Sequence, residues 1–272
     1  MTAQPTADER TDAPGGLLGR ILPGLRADPG RFEAARSAWT ALWTSRVLVW
    51  AAGIAAGIAF SQSPEAARVF NPRGLTSGLG SVGEVLAGPA ARWDASFYLT
   101  IASHGYGHLN SPTNQLLAFF PLYPLLVRAL GIALPLVVAG VLVSIVALGF
   151  ALYGVHRLST LESARGAAAV RGRALDTAGL AVLLLAFSPM AVFFSADYTE
   201  SLFMAFAVAT FLCARNGRWM WAATAGLLAS ATRSPGALLL LPTLVLYLYG
   251  PREDRVPDRD RADTLASRSF VV

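Results

Sequence analysis

The sequence predicts an all-α, polytopic membrane helix bundle, and three observations carry that prediction. Apolar runs of about 20 residues recur along the chain, the length a helix needs to cross roughly 30 Å of hydrocarbon. Hydrophobic residues fill 54% of the 272 positions and charged residues only 14%, against about 25% charged in an ordinary soluble domain. The basic residues lie in segments between the apolar runs. They form no patch interleaved with aromatics, so the pattern is that of topology signals rather than of a nucleic-acid surface.

Taken in order, residues 1–36 are rich in Pro, Gly, Asp and Arg and are expected to be a disordered cytoplasmic leader. A membrane domain over 37–250 follows, beginning with a span from about Trp39 to Phe60. Its start lies too far from the N-terminus for an ordinary cleaved signal peptide, so it is expected to be a retained anchor. Residues 61–117 form a mixed stretch with several Gly and Pro, longer than a simple connector and of the length that usually carries function. Trp93, Phe97, Tyr98 and Tyr106 give its latter half the amphipathic character of helices at a membrane interface. Residues 118–154 are apolar but broken by Pro121, Pro124, Arg128 and Pro135. Further apolar runs cover about 177–195, 199–214, 219–232 and 235–250, and 251–272 is a charged tail expected to be disordered and cytoplasmic.

All 22 basic residues are arginine, which together with abundant Ala and Gly reads as the coding bias of a GC-rich bacterium. Their distribution orients the spans. Arg10, Arg20, Arg26, Arg31 and Arg36 lie in the leader, and Arg157, Arg165, Arg171 and Arg173 in the connector 155–176. Arg215 and Arg218 flank a short turn, and Arg252, Arg255, Arg259, Arg261 and Arg268 sit in the tail. The long stretch 61–117 holds only Arg68, Arg73 and Arg92. The positive-inside rule therefore places 61–117 outside and the N-terminus in the cytoplasm. Residues 118–154 must then cross an odd number of times. We expect an interrupted interfacial or re-entrant helix over 118–134 and a true span over 135–154, because broken helices at membrane depth are tolerated where they line a cavity. Asp94, Asp197, Glu200 and Arg233 then share the outer side.

Three clusters could carry chemistry. Asp94, in Ala91-Arg-Trp-Asp-Ala-Ser-Phe-Tyr98, is a carboxylate beside aromatics and Arg92. It could act as a general base on a hydroxyl attacking an activated sugar carbon, or simply cap a helix or pair with Arg92. His104 and His108 have the i, i+4 spacing of a metal pair, but Gly105 and Gly107 interrupt the helix this needs, and no metal site is expected. Cys213 is the single cysteine, so no disulfide is available. Asp197 and Glu200 stand with Tyr198 in a hydroxyl-rich turn, where they either face a substrate cavity or simply reach the outer interface. Arg233, in Thr232-Arg-Ser-Pro-Gly236, follows a short span. Its guanidinium could hold a phosphate bidentately or snorkel to headgroups.

Arg92-Trp-Asp-Ala-Ser-Phe-Tyr98, His104-Gly-Tyr106 and Ala118-Phe-Phe-Pro-Leu-Tyr-Pro-Leu125 together resemble the start of PIG-V-type mannosyltransferases. Ser188-Pro-Met-Ala-Val-Phe-Phe-Ser-Ala-Asp-Tyr-Thr-Glu-Ser-Leu-Phe203 resembles the next block of that family. Ala225-Gly-Leu-Leu-Ala-Ser-Ala-Thr-Arg-Ser-Pro-Gly236 resembles the one after, with Pro235 where the family usually has Asn. The resemblance implies a GT-C membrane glycosyltransferase. It would move a sugar, mannose in this family, from a polyprenyl-phosphate donor to a lipid, glycan or protein acceptor on the outer face of the plasma membrane. It assigns Asp94 as catalytic base and Arg92, Trp93, His104, Tyr106, Asp197, Tyr198, Glu200 and Arg233 to the substrate. No cofactor is implied, a divalent metal is left open, and no nucleotide-binding loop is expected. Chains of the family run longer, so the resemblance also implies a relative shortened at its C-terminus, with an inactive or assembly role as the alternative reading. A transporter or flippase ranks last, because no internal repeat is evident.

Overall fold

The computed structural model describes residues 28–59, 79–107, 115–166 and 177–250. Among these the chain is all-helical. In chain order the helices are α1 Pro29–Ala59, α2 Gly80–Ala87, α3 Ala95–His104, α4 Leu122–Leu130 and α5 Leu136–Gly166. They continue with α6 Thr177–Ala186, α7 Glu200–Arg215, α8 Trp219–Ser230, α9 Pro235–Leu238 and α10 Leu240–Tyr249. Two single 3₁₀ turns, Gln115–Ala118 and Ala191–Phe194, complete the set. Most of the residues read as leader and all of those read as tail lie outside the described residues, as do 61–78 and 108–114 of the outer stretch.

α1 and α5 are each long and apolar enough to cross a membrane by length and composition. Both overrun the boundaries expected from hydropathy. α1 starts inside the arginine-rich leader because Asp28 and Pro29 together form a helix start: the Asp28 carboxylate accepts the Arg31 amide at 3.1 Å, and proline at the first helical position forfeits no needed donor. α5 runs on into the connector, well past residue 154. The apolar run 177–195 is not one helix. Ser188-Pro189 ends α6 early, because proline cannot continue the hydrogen-bonded ladder, and the chain turns through Ala191–Phe194 before α7 begins. The interruption expected in 118–134 is present: α4 is a short helix following Pro121, with a turn before α5.

α1 and α5 run antiparallel. Near one end Arg157 of α5 reaches Gly30 of α1, and further along Leu42 packs on Gly149. α7 packs on α5 at Gly154, where any Cβ would collide with Val208, so the backbones approach through a small residue as membrane helices commonly do. Buried Leu42, Leu148, Leu152, Val182 and Ala186 knit α1, α5 and α6 into one cluster. A second cluster joins Leu99, Tyr123, Val127, Val143, Tyr198 and Leu202 from α3, α4, α5 and the start of α7. α3 is packed into this cluster, with Ser96, Leu99, Thr100, Ile101 and Ala102 all buried.

Candidate active site

Four elements meet at the end of the bundle where α1 finishes and α5 starts. The strip Ser195–Thr199, between the second 3₁₀ turn and α7, is their common floor. From one side the Asp197 amide donates to the carbonyl of Ala90 at 3.0 Å. From the other, the Ser144 hydroxyl of α5 donates to the Ala196 carbonyl at 2.7 Å and approaches that of Tyr198 at 3.3 Å. Tyr123 steadies Ser144: its hydroxyl donates to the Gly140 carbonyl at 3.0 Å and lies 3.2 Å from the Ser144 oxygen. Buried backbone polar groups need such partners, because leaving them unpaired is costly.

Arg46 holds the strip from below. It stands in the middle of α1 with 2% of its surface exposed. Its guanidinium donates to the carbonyl of Ala191 at 2.6 Å, the Ser195 hydroxyl at 3.1 Å and the carbonyl of Ala186 at 2.9 Å. Ala186 is the last residue of α6, so its carbonyl has lost its helical partner at the Ser188-Pro189 break. The arginine supplies the missing donors with its planar fork. Sequence reasoning passed over this residue, although a lone arginine inside an apolar run was the available signal.

Above the floor, Trp93, Asp94, Met190, Phe193, Phe194, Tyr198 and Glu200 line an open cavity of about 590 Å³. Asp94 occupies the N-cap position of α3, yet its side chain makes no capping hydrogen bond. The carboxylate is exposed at the cavity instead, which disfavours the helix-cap reading. Trp93 adopts φ +55, a left-handed conformation that bulky residues rarely enter, and its half-exposed indole lies 6.0 Å from the ring of Phe193. Arg233, just past α8, forms an ion pair with Glu200 at the start of α7. Both are partly exposed, at 38% and 26%.

The residues singled out from sequence thus divide. Trp93, Asp94, Tyr198 and Glu200 share the cavity, and Arg233 joins it through Glu200. Arg92 leans away toward α1, with Nη2 about 4.0 Å from where a Cβ on Gly57 would sit. His104 ends α3 with its Nδ1 2.7 Å from the Ser103 hydroxyl, and Tyr106 donates to the Phe119 carbonyl at 2.8 Å. Tyr106 lines a separate recess with Leu117, Phe119, Phe120 and Pro121. His108 falls outside the described residues. Asp197 does not line the cavity. It is wholly buried, packed against Gly140 beside the Tyr123 hydroxyl, and neither carboxyl oxygen has a hydrogen-bond partner. Burial pushes its carboxyl well above the ordinary 3.8. Met190, Phe193 and Phe194 complete the cavity wall but were not expected there, since aromatic and thioether residues inside an apolar run read first as core. Among the described residues no group of three or more His, Cys, Asp or Glu gathers in a way that could hold a metal ion.

An exposed carboxylate, an aromatic wall and a guanidinium–carboxylate pair on one open cavity suit an acid–base reaction on a polar group carried by an apolar ligand. No curated protein matches the chain, and neither does any solved structure. The Mannosyltransferase (PIG-V) family matches residues 44–239, from α1 to α9, and so includes every residue of the cavity. The three blocks quoted from the sequence all fall within that stretch, and with most of its length covered the chain belongs to the PIG-V mannosyltransferase family.

Proposed function

We propose that the protein transfers mannose from a polyprenyl-phosphate-mannose donor to an acceptor hydroxyl on the outer face of the plasma membrane, with Asp94 as the general base. The observation that carries this reading is the Asp94 carboxylate, held at a helix N-cap but left uncapped and open to the cavity. Membership of a mannosyltransferase family supports the sugar and the reaction class. In the step, Asp94 takes the proton of the acceptor hydroxyl as its oxygen bonds to C1 of the mannosyl group. The bond from C1 to the phosphate oxygen breaks, and its electron pair leaves on the polyprenyl phosphate.

Negative charge builds on that phosphate. A guanidinium carries five N–H donors, so Arg233 bound to Glu200 keeps donors for phosphate oxygens. Trp93, Phe193 and Phe194 offer apolar contact to the lipid or to a sugar face. The arginine distribution supports an outward site and a cytoplasmic N-terminus. The acceptor class, a lipid, glycan or protein hydroxyl, is left to the experiment.

The test is a membrane assay with polyprenyl-phosphate-mannose and a panel of lipid, glycan and peptide acceptors. Asp94→Asn is run beside the parent chain, with insertion checked by detergent extraction. Transfer by the parent with loss of about a hundredfold or more in Asp94→Asn is the expected result. Substantial transfer by a correctly inserted Asp94→Asn protein overturns the assignment.

A further inference from the structure

We propose that Tyr198 is a positioning residue, its hydroxyl bracketing Trp93 and thereby aiming the carboxylate of Asp94 into the cavity; this rests on the reading of Asp94 as base. The bracket is made by one oxygen atom. The Tyr198 hydroxyl donates to the carbonyl of Arg92 at 3.1 Å and accepts the amide of Asp94 at 2.9 Å. Those are the groups immediately before and after Trp93, the single non-glycine residue with positive φ among the described residues.

A left-handed tryptophan is unfavourable in itself, and such a conformation persists only where its surroundings over-determine it. Two hydrogen bonds, one to the peptide on each side of residue 93, are of the right order to hold it. Flipping residue 93 would also swing the Cα–Cβ bond of Asp94, because the Asp94 amide belongs to the peptide plane that turns. The direction of the carboxylate is thus set by a residue about a hundred positions further along the chain.

Tyr198 is itself fixed in place. Its ring packs at 5.0 Å on Phe193 and 6.1 Å on Tyr98, and its backbone belongs to the strip pinned by Ser144 and Ala90. Burial raises its phenol above the ordinary range, so the donated proton remains in place through neutral pH. The donor proton and one acceptor lone pair of the hydroxyl are committed to the bracket. Tyr198 also lines the cavity.

Tyr198→Phe keeps the ring and removes the bracket. Hydrogen–deuterium exchange on the purified full chain reads the Asp94 amide directly. We expect at least tenfold faster exchange in the peptide containing Asp94, with the middle of α3 and of α7 unchanged. Trp93→Gly is the companion variant: with Tyr198 intact, slow exchange at Asp94 is expected to survive loss of the indole. Kinetics in the transfer assay should show kcat falling roughly 10- to 100-fold, with KM for the donor within about twofold, as misalignment of a catalytic group demands. Unchanged exchange at Asp94 overturns the bracket whatever the activity. Faster exchange with unchanged kcat and raised KM makes Tyr198 a binding residue and overturns the positioning role. Transfer by Asp94→Asn overturns the base assignment instead, and the exchange measurement still decides whether the bracket exists.

Discussion

Replacing Arg46 by Met removes a buried cation from the middle of a membrane-length helix, a change that hydropathy alone would score as stabilising. The structure argues the opposite sign. Arg46 serves the carbonyls of Ala186 and Ala191 and the hydroxyl of Ser195. Methionine fills much of the volume but donates nothing, and both carbonyls stay buried. An unsatisfied buried carbonyl costs roughly 1–3 kcal/mol, so the two together cost roughly 2–6. Relief from burying the guanidinium offsets part of that, leaving a net loss of about 2–4 kcal/mol. For a domain of this size roughly 2–4 °C accompanies each kcal/mol, so the apparent melting point in detergent should fall by about 5–15 °C. Arg46→Lys should lie between the two, because one ammonium cannot span acceptors that a planar fork reaches together. Size-exclusion chromatography after graded heating provides the measurement, with the scan rate held constant because unfolding of such proteins is generally irreversible. A melting point for Arg46→Met within 2 °C of the parent's (about the shift of half a kcal/mol) refutes the claim that this arginine caps the broken helix.

Two further outcomes follow from the site. Burial raises the pKa of Asp197 in the folded chain above the ordinary 3.8, near which it ionises in the unfolded chain. Its contribution to stability is therefore fully present below that value and declines as pH rises toward the folded pKa. Asp197→Asn should flatten this decline in melting point measured from pH 4 upward, and a variant as pH-dependent as the parent counts against a buried acid of raised pKa. Arg233→Ala should lower kcat/KM for the polyprenyl-phosphate donor by roughly 10- to 100-fold, the worth of about 1.4–2.7 kcal/mol, with Arg233→Lys less affected. Equal activity of Arg233→Ala and the parent at limiting donor removes the guanidinium from phosphate binding.

Hydropathy carried most of the fold. α7 and α8 fall within a residue or two of the runs 199–214 and 219–232, because their ends are marked by Thr199, Asn216, Gly217 and Arg218. The misjudged boundaries have local causes. Asp28-Pro29 is a helix start that a hydropathy window averages away among arginines, and α5 runs on through polar residues past 154 because no Pro or Gly pair stops it there. Ser188-Pro189 lies in an unbroken apolar stretch, so its break shows in hydrogen bonding rather than in hydrophobicity. Within the site, Asp94, Glu200 and Arg233 were legible as charges at span ends. Two things were not. The burial of Asp197 under α5, while its neighbour Tyr198 reaches the cavity, depends on the conformation of a turn with no periodicity. The Arg46 bonds span about 145 positions and connect elements that only the folded chain brings together.

The left-handed turn at Trp93 also limits what the indole is worth. Glycine would occupy φ +55 without strain, whereas a bulky residue gives up roughly 1–2 kcal/mol to stand there. Any variant library at this position therefore starts from a tilted baseline, with glycine and asparagine favoured for folding before function is considered. A side chain kept against that tilt, half exposed beside Phe193, must return at least as much through what it touches. Position 93 is thus one where selection for stability and selection for turnover should pull apart, and a screen scored on yield alone would discard the residue that a screen scored on transfer retains.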